Sequence, residues 1–63
     1  MGILYDMRAF FRWLDEADDE ELLRRRQSLQ DLLSELTQEE VIQEARRLLR
    51  FIEEELLARQ IRP

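Results

Sequence analysis

Apolar residues recur along this chain at the spacing of α-helices and not at the alternation of β-strands. The first group falls at i, i+1, i+4, i+7, i+8 and i+11, which a rotation of about 100° per residue brings to one helical face. The pattern predicts a first helix over about residues 3–15. Its apolar members are Ile3, Leu4, Met7, Phe10, Phe11 and Leu14.

Two pairs of residues with capping-box spacing predict where the next helices begin. Asp18 with Glu21 marks the start of the second helix, and Thr37 with Glu40 marks the start of the third. In such a pair, each side chain accepts a hydrogen bond from the backbone N–H of the other residue. The predicted ranges are residues 19–36 for the second helix and 38–60 for the third.

The predicted link between the second and third helices is very short, and this forces them into an antiparallel hairpin. If Leu36 lies beside Val41, the residue numbers of any two positions that face each other across the hairpin add up to roughly 77. The sequence therefore predicts an all-α fold with one domain over residues 1–63. In this fold an antiparallel helical hairpin is joined by a shorter N-terminal helix, which makes three helices.

The size of the chain predicts that it assembles with itself. A chain of 63 residues buries only about 60% of the surface that its unfolded form exposes. Small proteins often compensate with disulfides, a metal ion or another subunit, and this chain contains neither Cys nor His. We therefore expect a homodimeric helical bundle.

Charge and hydropathy exclude several other classes of function. The net charge is −5, and all ten basic residues are arginines, which is a poor balance for binding nucleic acid. No apolar run reaches the 18 residues that suggest a membrane span, and the first residues do not resemble a secretion signal. We expect a soluble, cytoplasmic protein that binds neither nucleic acid nor a membrane.

The sequence offers few groups for catalysis. It contains no His, Cys or Lys to activate a hydroxyl group, and no glycine-rich loop to bind phosphates. The carboxylates of Glu53, Glu54 and Glu55 diverge by about 100° per residue on a helix, so they do not converge on one metal ion. We expect no enzymatic activity, no cofactor, no metal site and no small-molecule substrate.

Three consecutive arginines lie within the leucine-rich second helix. Helical geometry spreads them over about 200°, so they do not form one patch. Arg24 is expected to face solvent, whereas Arg25 and Arg26 flank the apolar seam. One hypothesis pairs Arg25 or Arg26 with Glu53 or Glu55, in the same chain or across a dimer. The alternative is that both side chains extend along the edge of the seam into water.

Several apolar residues exceed what one hairpin seam can cover. They either complete the core of a three-helix monomer or dimer, or they form a docking surface for another protein. Helix 1, with the widest apolar face, is the element expected to contribute such a surface. The candidate partner-binding residues, with the two arginines included, are Tyr5, Phe10, Trp13, Arg25, Arg26, Phe51, Leu57 and Ile61.

The stretches RAFFRWLDEADDEELLRRR and EARRLLRFIEEELLAR resemble small all-helical early proteins of bacteriophages, including the quorum-sensing antiactivator type. This resemblance implies a homodimeric protein that binds a host transcription regulator of the LuxR class and blocks its binding to DNA. It assigns no role to any individual residue.

Three functions remain open at this point. The first is a protein-protein interaction module that inhibits or adapts a larger protein, and this is the function we expect. The second is a structural module for homo-oligomerisation. The third is nucleic-acid binding or mimicry, for which direct binding requires a strongly salt-dependent complex.

Overall fold

The computed structural model describes residues 7–61, and this part of the chain is all-α, as the sequence predicts. It contains α1 (Met7–Glu16), α2 (Asp19–Leu33) and α3 (Glu39–Ile61). Residues 3–6 of the predicted first helix lie outside the described residues. Within residues 7–61 no helix is both long enough and apolar enough to cross a membrane.

The junction between α1 and α2 confirms the first capping box. The backbone N–H of Glu21 donates a 2.8 Å hydrogen bond to Asp18 Oδ1, and the N–H of Asp18 donates a 3.2 Å bond to Glu21 Oε1. Just before the cap, the N–H of Ala17 donates to the carbonyl of Trp13 at 2.8 Å. These bonds fix a tight turn at which α2 folds back from α1.

The link between α2 and α3 is longer than predicted. Helix α2 ends at Leu33 and not at residue 36, because the next residues bond back to its last turn. The Ser34 hydroxyl donates to the carbonyl of Asp31 at 2.7 Å, and the backbone N–H groups of Glu35 and Leu36 both donate to the carbonyl of Leu32. These contacts satisfy carbonyl groups that a continuing helix would otherwise use.

The predicted Thr37–Glu40 capping box is wrong by one residue. The first i→i−4 backbone bond of α3 runs from the N–H of Ile42 to the carbonyl of Gln38, at 3.0 Å. Gln38 therefore stands at the N-cap, and α3 begins at Glu39. Two acidic residues lie in the first turn of α3, where the positive end of the helix dipole stabilises their negative charge.

Helices α2 and α3 form the predicted antiparallel hairpin. Arg59, near the end of α3, donates a 2.9 Å hydrogen bond to Asp19 at the start of α2. At the other end, Leu32 and Ala45 line one groove together. The register agrees with the expected sum of residue numbers.

The core lies at one end of the hairpin, at the open end away from the α2–α3 link. Leu22 and Ile52 are fully buried there. Leu14 of α1 packs in the same cluster. In the half next to the link, which we call the loop half, Ala45 is the one buried apolar residue. The other apolar residues of the loop half are half-buried or exposed, namely Leu29, Leu32, Leu33, Leu36, Val41, Ile42, Leu48 and Leu49.

The difference in helix length explains this asymmetry. Helix α1 has ten residues and spans about 15 Å, whereas α3 has 23 residues and spans about 34 Å. Because α1 joins the hairpin at its open end, its described residues extend only part of the way toward the loop. The described residues of α1 therefore cover the open end of the hairpin and not its loop half.

Candidate functional site

An apolar groove of about 240 Å³ runs along the loop half of the hairpin, and we call it the loop-half groove. Phe10 and Arg25 stand at its α1 end, and Glu44 lies on its wall. Its floor and walls are otherwise aliphatic. The aliphatic lining residues are Leu29, Leu32, Val41, Ala45 and Leu48.

Burial within the groove shows how it is built. Ala45 is buried at the floor, and its small side chain leaves the space that the groove occupies. Leu32 stands on the wall with 44% of its surface exposed. Leu29, Val41 and Leu48 are half-buried. These partly covered aliphatic side chains form one contiguous row along the hairpin.

Opposite charges stand toward the two ends of this groove. Arg25 lies beside Phe10, where α1 covers the hairpin. Glu44 lies close to the α2–α3 link, because α3 begins at Glu39.

Arg25 stacks on the indole ring of Trp13, with its guanidinium carbon 4.9 Å from the ring centroid. A guanidinium above an aromatic face is attracted by the ring, and its N–H edges remain able to bond to a carboxylate. Arg24 is exposed and Arg26 is half-buried. Arg24 and Arg25 border one shallow pocket beside Trp13, whereas Arg26 does not line it.

The hypothesis that Arg25 or Arg26 pairs with Glu53 or Glu55 inside one chain is wrong for the described residues. Glu55 Oε2 instead accepts a 2.9 Å hydrogen bond from Arg59 Nε, four residues along the same helix. Arg25 is held by Trp13, so its guanidinium is engaged elsewhere. The version of the hypothesis that pairs these residues across a dimer stays a prediction.

Aromatic side chains of α1 pack against α3. The Phe10 and Phe51 ring centroids lie 6.3 Å apart, and those of Phe11 and Phe51 lie 5.0 Å apart in an edge-to-face arrangement. Trp13 lies 5.9 Å from Phe10. Phe10, Trp13 and Phe51, which are candidate partner-binding residues, are therefore buried or half-buried within one chain. Phe11, which sequence reasoning did not select, is 43% exposed.

Two other candidate residues form a separate apolar surface near the end of α3. Leu57 is 58% exposed and Ile61 is 76% exposed, and their i, i+4 spacing places them on one side of the helix. We call this pair the C-terminal strip. It lies far from the loop-half groove along α3. The remaining candidate, Tyr5, lies outside the described residues.

Arg59 joins all three helices at the open end, and sequence reasoning gave it only a place near the negative end of the helix dipole. Besides its bonds to Glu55 and Asp19, its Nη2 donates to the carbonyl of Leu14 in α1 at 3.1 Å. The hydrogen bonds to Glu55 and Asp19 raise the pKa of Arg59 above its usual value. Its i+4 spacing from Glu55 was the one signal in the sequence.

The described part of the chain contains no buried polar or charged side chain. Nor does that part contain a group of three acidic residues arranged to hold a metal ion. The groove offers apolar contacts, with the charged residues Arg25 and Glu44 at its edges.

The chain matches none of the protein families, curated proteins or solved structures with which we compared it.

Proposed function

We propose that this chain is a non-enzymatic protein-protein interaction module that binds another polypeptide in its loop-half groove. The observation that carries the proposal is the partial exposure of the aliphatic side chains that line this groove. Leu32 and its aliphatic neighbours are partly covered, whereas Phe10 and Trp13 already pack within the chain.

The dimensions of the groove favour a helix as the bound element. Its α3 side runs from Val41 to Leu48, which is about two helical turns or roughly 10 Å. An amphipathic helix that enters such a groove uses apolar side chains at i, i+3 or i+4, and i+7. Arg25 would give this helix a charged contact at the α1 end of the groove.

The resemblance to phage antiactivators supplies a specific form of this proposal. In that form, the partner is a LuxR-type transcription regulator, and binding inhibits its attachment to DNA. The test mixes the chain with a purified LuxR-class regulator bound to its operator and follows release of the DNA by electrophoretic mobility. Release with 1:1 or 2:1 stoichiometry is expected, and an unchanged DNA complex contradicts the antiactivator role.

Two variants locate the binding surface in the same assay. Leu32→Glu puts a charge into the loop-half groove, and Leu57→Glu puts the same charge on the C-terminal strip, at a leucine that is also exposed. We expect Leu32→Glu to abolish binding and Leu57→Glu to leave it unchanged. The reverse result moves the site to the C-terminal strip, and binding that resists both changes contradicts an interaction through either apolar surface.

A structural role in homo-oligomerisation is the second candidate function. It is favoured by the uneven core, in which Leu22 and Ile52 at the open end are fully buried while the loop half has only Ala45 buried. In this function the groove serves assembly of identical chains and needs no other protein.

A further inference from the structure

We propose that the polypeptide bound in the loop-half groove is an amphipathic helix with an aspartate or glutamate at one end of its apolar stripe, and that this carboxylate binds Arg24 and Arg25 beside Trp13. The inference rests on the proposed role of the groove as a docking surface, and it adds the chemistry of the partner. It is supported by the continuity of the groove with a second pocket and by the charge of that pocket.

A pocket of about 270 Å³ adjoins the loop-half groove at its α1 end. Its lining residues are Trp13, Glu21, Arg24, Arg25 and Ser28, and we call it the arginine pocket. Arg25 lines both the arginine pocket and the groove, so the two form one continuous surface. A polypeptide that lies in the groove and extends past Arg25 therefore reaches the arginine pocket.

The spacing of residues along α2 sets the order of contacts. Arg25, Leu29 and Leu32 stand at i, i+4 and i+7, which places them on one face of the helix. Leu29 and Leu32 line the groove, and Arg25 lies one turn before Leu29, about 6 Å along the helix axis. A helix bound along this face meets two leucines and then a guanidinium. The complementary sequence has two apolar residues about one turn apart and an acidic residue about one turn further along.

The charge of the arginine pocket selects an acidic group. Arg24 and Arg25 are exposed, and within residues 7–61 neither side chain forms an ion pair with a carboxylate. Glu21, the one acidic residue of the lining, already accepts a 3.2 Å hydrogen bond from the backbone N–H of Asp18. The lining thus has two arginines against one glutamate, in a chain whose net charge is −5. Charge complementarity therefore favours a carboxylate over a basic side chain at this position.

The guanidinium of Arg25 is already in place for such a contact. It stacks on Trp13 at 4.9 Å from the ring centroid, which leaves its N–H edges available to a carboxylate. Because the stacking restricts the side chain before binding, less conformational freedom is lost when the partner arrives. Ser28 adds a hydroxyl group to the same lining, and a hydroxyl can donate a hydrogen bond to an acidic side chain.

Selection of displayed random peptides on the immobilised full chain tests this partner chemistry. The peptides have about 16 residues, roughly four turns when helical. We expect the enriched peptides to share two apolar residues and an acidic residue at the stated spacing, with the acid at either end because a helix can lie along α2 in both directions. Enriched peptides without an acid at a fixed spacing, or with a basic residue there, overturn the inference and leave the docking role intact. No enrichment at all contradicts docking of a helix in the groove.

Charge changes in the chain and in the most enriched peptide test the contact itself, by fluorescence anisotropy of the labelled peptide. Arg25→Glu should weaken binding about tenfold, and replacing the acid of the peptide by its amide should weaken binding to the parent about threefold. A peptide with arginine in place of the acid should bind Arg25→Glu more tightly than it binds the parent. Arg24→Glu, which keeps the stacking on Trp13, should also weaken binding of the acidic peptide.

The matched control is Arg47→Glu, which makes the same charge change at an exposed arginine that lines neither the groove nor the arginine pocket. It should leave the affinity for the acidic peptide within about twofold. Equal losses for Arg25→Glu and Arg47→Glu would show that only the net charge of the chain matters, and this overturns the inference. Circular dichroism of each variant shows that it remains helical.

Leu32→Glu separates the two proposals. If it abolishes peptide binding and Arg25→Glu does not, the groove is a docking surface and the acidic contact is wrong. If neither change affects binding, both proposals fail. Sedimentation equilibrium of the parent tests the other occupant, because a dimer that Leu32→Glu makes monomeric would identify a second copy of the chain in the groove and overturn the inference.

Discussion

Arg59 Nη1 in α3 donates a 2.9 Å hydrogen bond to Asp19 Oδ1 in α2, across 40 residues of sequence. The same guanidinium bonds to Glu55 and to the carbonyl of Leu14, so one partly buried side chain holds the open ends of all three helices together. Its side chain is 19% exposed, whereas that of Asp19 is 68% exposed. This network closes the end of the hairpin at which the core is complete.

Arg59→Gln is therefore expected to lower the free energy of unfolding by about 1–2 kcal/mol, since charge-assisted hydrogen bonds are lost but one partner is well solvated. Urea unfolding followed by circular dichroism measures this change. The matched control is Arg50→Gln on the same helix, where Arg50 and Glu54 lie 3.7 Å apart and are both exposed. That change should cost less than about 0.5 kcal/mol, and equal losses would contradict the role of Arg59.

The raised pKa of Arg59 sets the expected pH dependence of its contribution. A group whose pKa is higher in the folded state stabilises that state fully at pH values below its unfolded pKa, and this stabilisation is lost only as the pH rises through the folded pKa. Arg59 is charged in both states near neutral pH. The stability difference between the parent and Arg59→Gln should therefore stay constant from pH 6 to 9, within about 0.3 kcal/mol.

The capping box at the start of α2 gives a second stability prediction. Asp18→Ala removes the acceptor for the N–H of Glu21 and is expected to cost about 1 kcal/mol. Asp18→Asn keeps an acceptor oxygen at the same position and should recover most of the loss. Thermal unfolding of both variants provides the measurement, and equal stability of Asp18→Ala and the parent would show that the cap contributes nothing.

The stacking of Arg25 on Trp13 predicts a spectroscopic effect. Trp13 is the single tryptophan of the chain, so its fluorescence reports on the surroundings of this one ring, which include Arg25. Arg25→Gln should shift the emission and lower stability by about 0.5–1 kcal/mol. Arg24→Gln, one residue earlier and exposed, should change the emission less, and the reverse order would contradict the observed stacking.

The two ends of the hairpin should respond differently to loss of a leucine. Leu22→Ala at the fully buried open end is expected to cost about 2–5 kcal/mol at any protein concentration. If identical chains assemble through the groove, Leu29→Ala in the loop half should cost less in dilute solution and more as the concentration rises. Thermal unfolding at about 5 µM and 500 µM separates the two cases, and a concentration-independent cost for Leu29→Ala contradicts coverage by another chain.

The elements with strong local signals could be predicted from the sequence. The apolar periodicity gave three helices, and the Asp18–Glu21 spacing gave the start of α2 because a capping box depends only on nearby residues. The end of α2 was placed three residues late, since Leu36 continued the apolar pattern. The backbone instead turned at Ser34, whose hydroxyl bonds to the carbonyl of Asp31.

The candidate site was harder to predict because it depends on the position of α1. The sequence showed that Trp13 and Phe51 lie outside the apolar seam of the hairpin. It could not decide whether their side chains pack inward or face outward. In the structure they pack inward against Phe10, and the open surface is formed by ordinary seam residues such as Leu29 and Leu32. Their exposure depends on how the three helices are arranged, which is a property of the whole fold.

The cross-dimer form of the arginine hypothesis also changes in the light of the contacts. Within one chain Glu55 is already bonded to Arg59, and Arg25 stacks on Trp13. The sequence predicted that Arg25 flanks the apolar seam, and Arg25 does line the loop-half groove. It could not identify the acidic partner, because that depends on which half of the hairpin remains uncovered.

An isotope-filtered nuclear Overhauser experiment tests the central claim most directly. The ¹³C-labelled chain is mixed at about 1 mM with the most enriched peptide, unlabelled, and only contacts between the two polypeptides are recorded. The account predicts intermolecular contacts from the peptide to the methyl groups of Leu29, Leu32, Val41 and Leu48, with none involving the buried Leu22 or Ile52. Absence of intermolecular contacts at the loop-half methyl groups in this sample would contradict it.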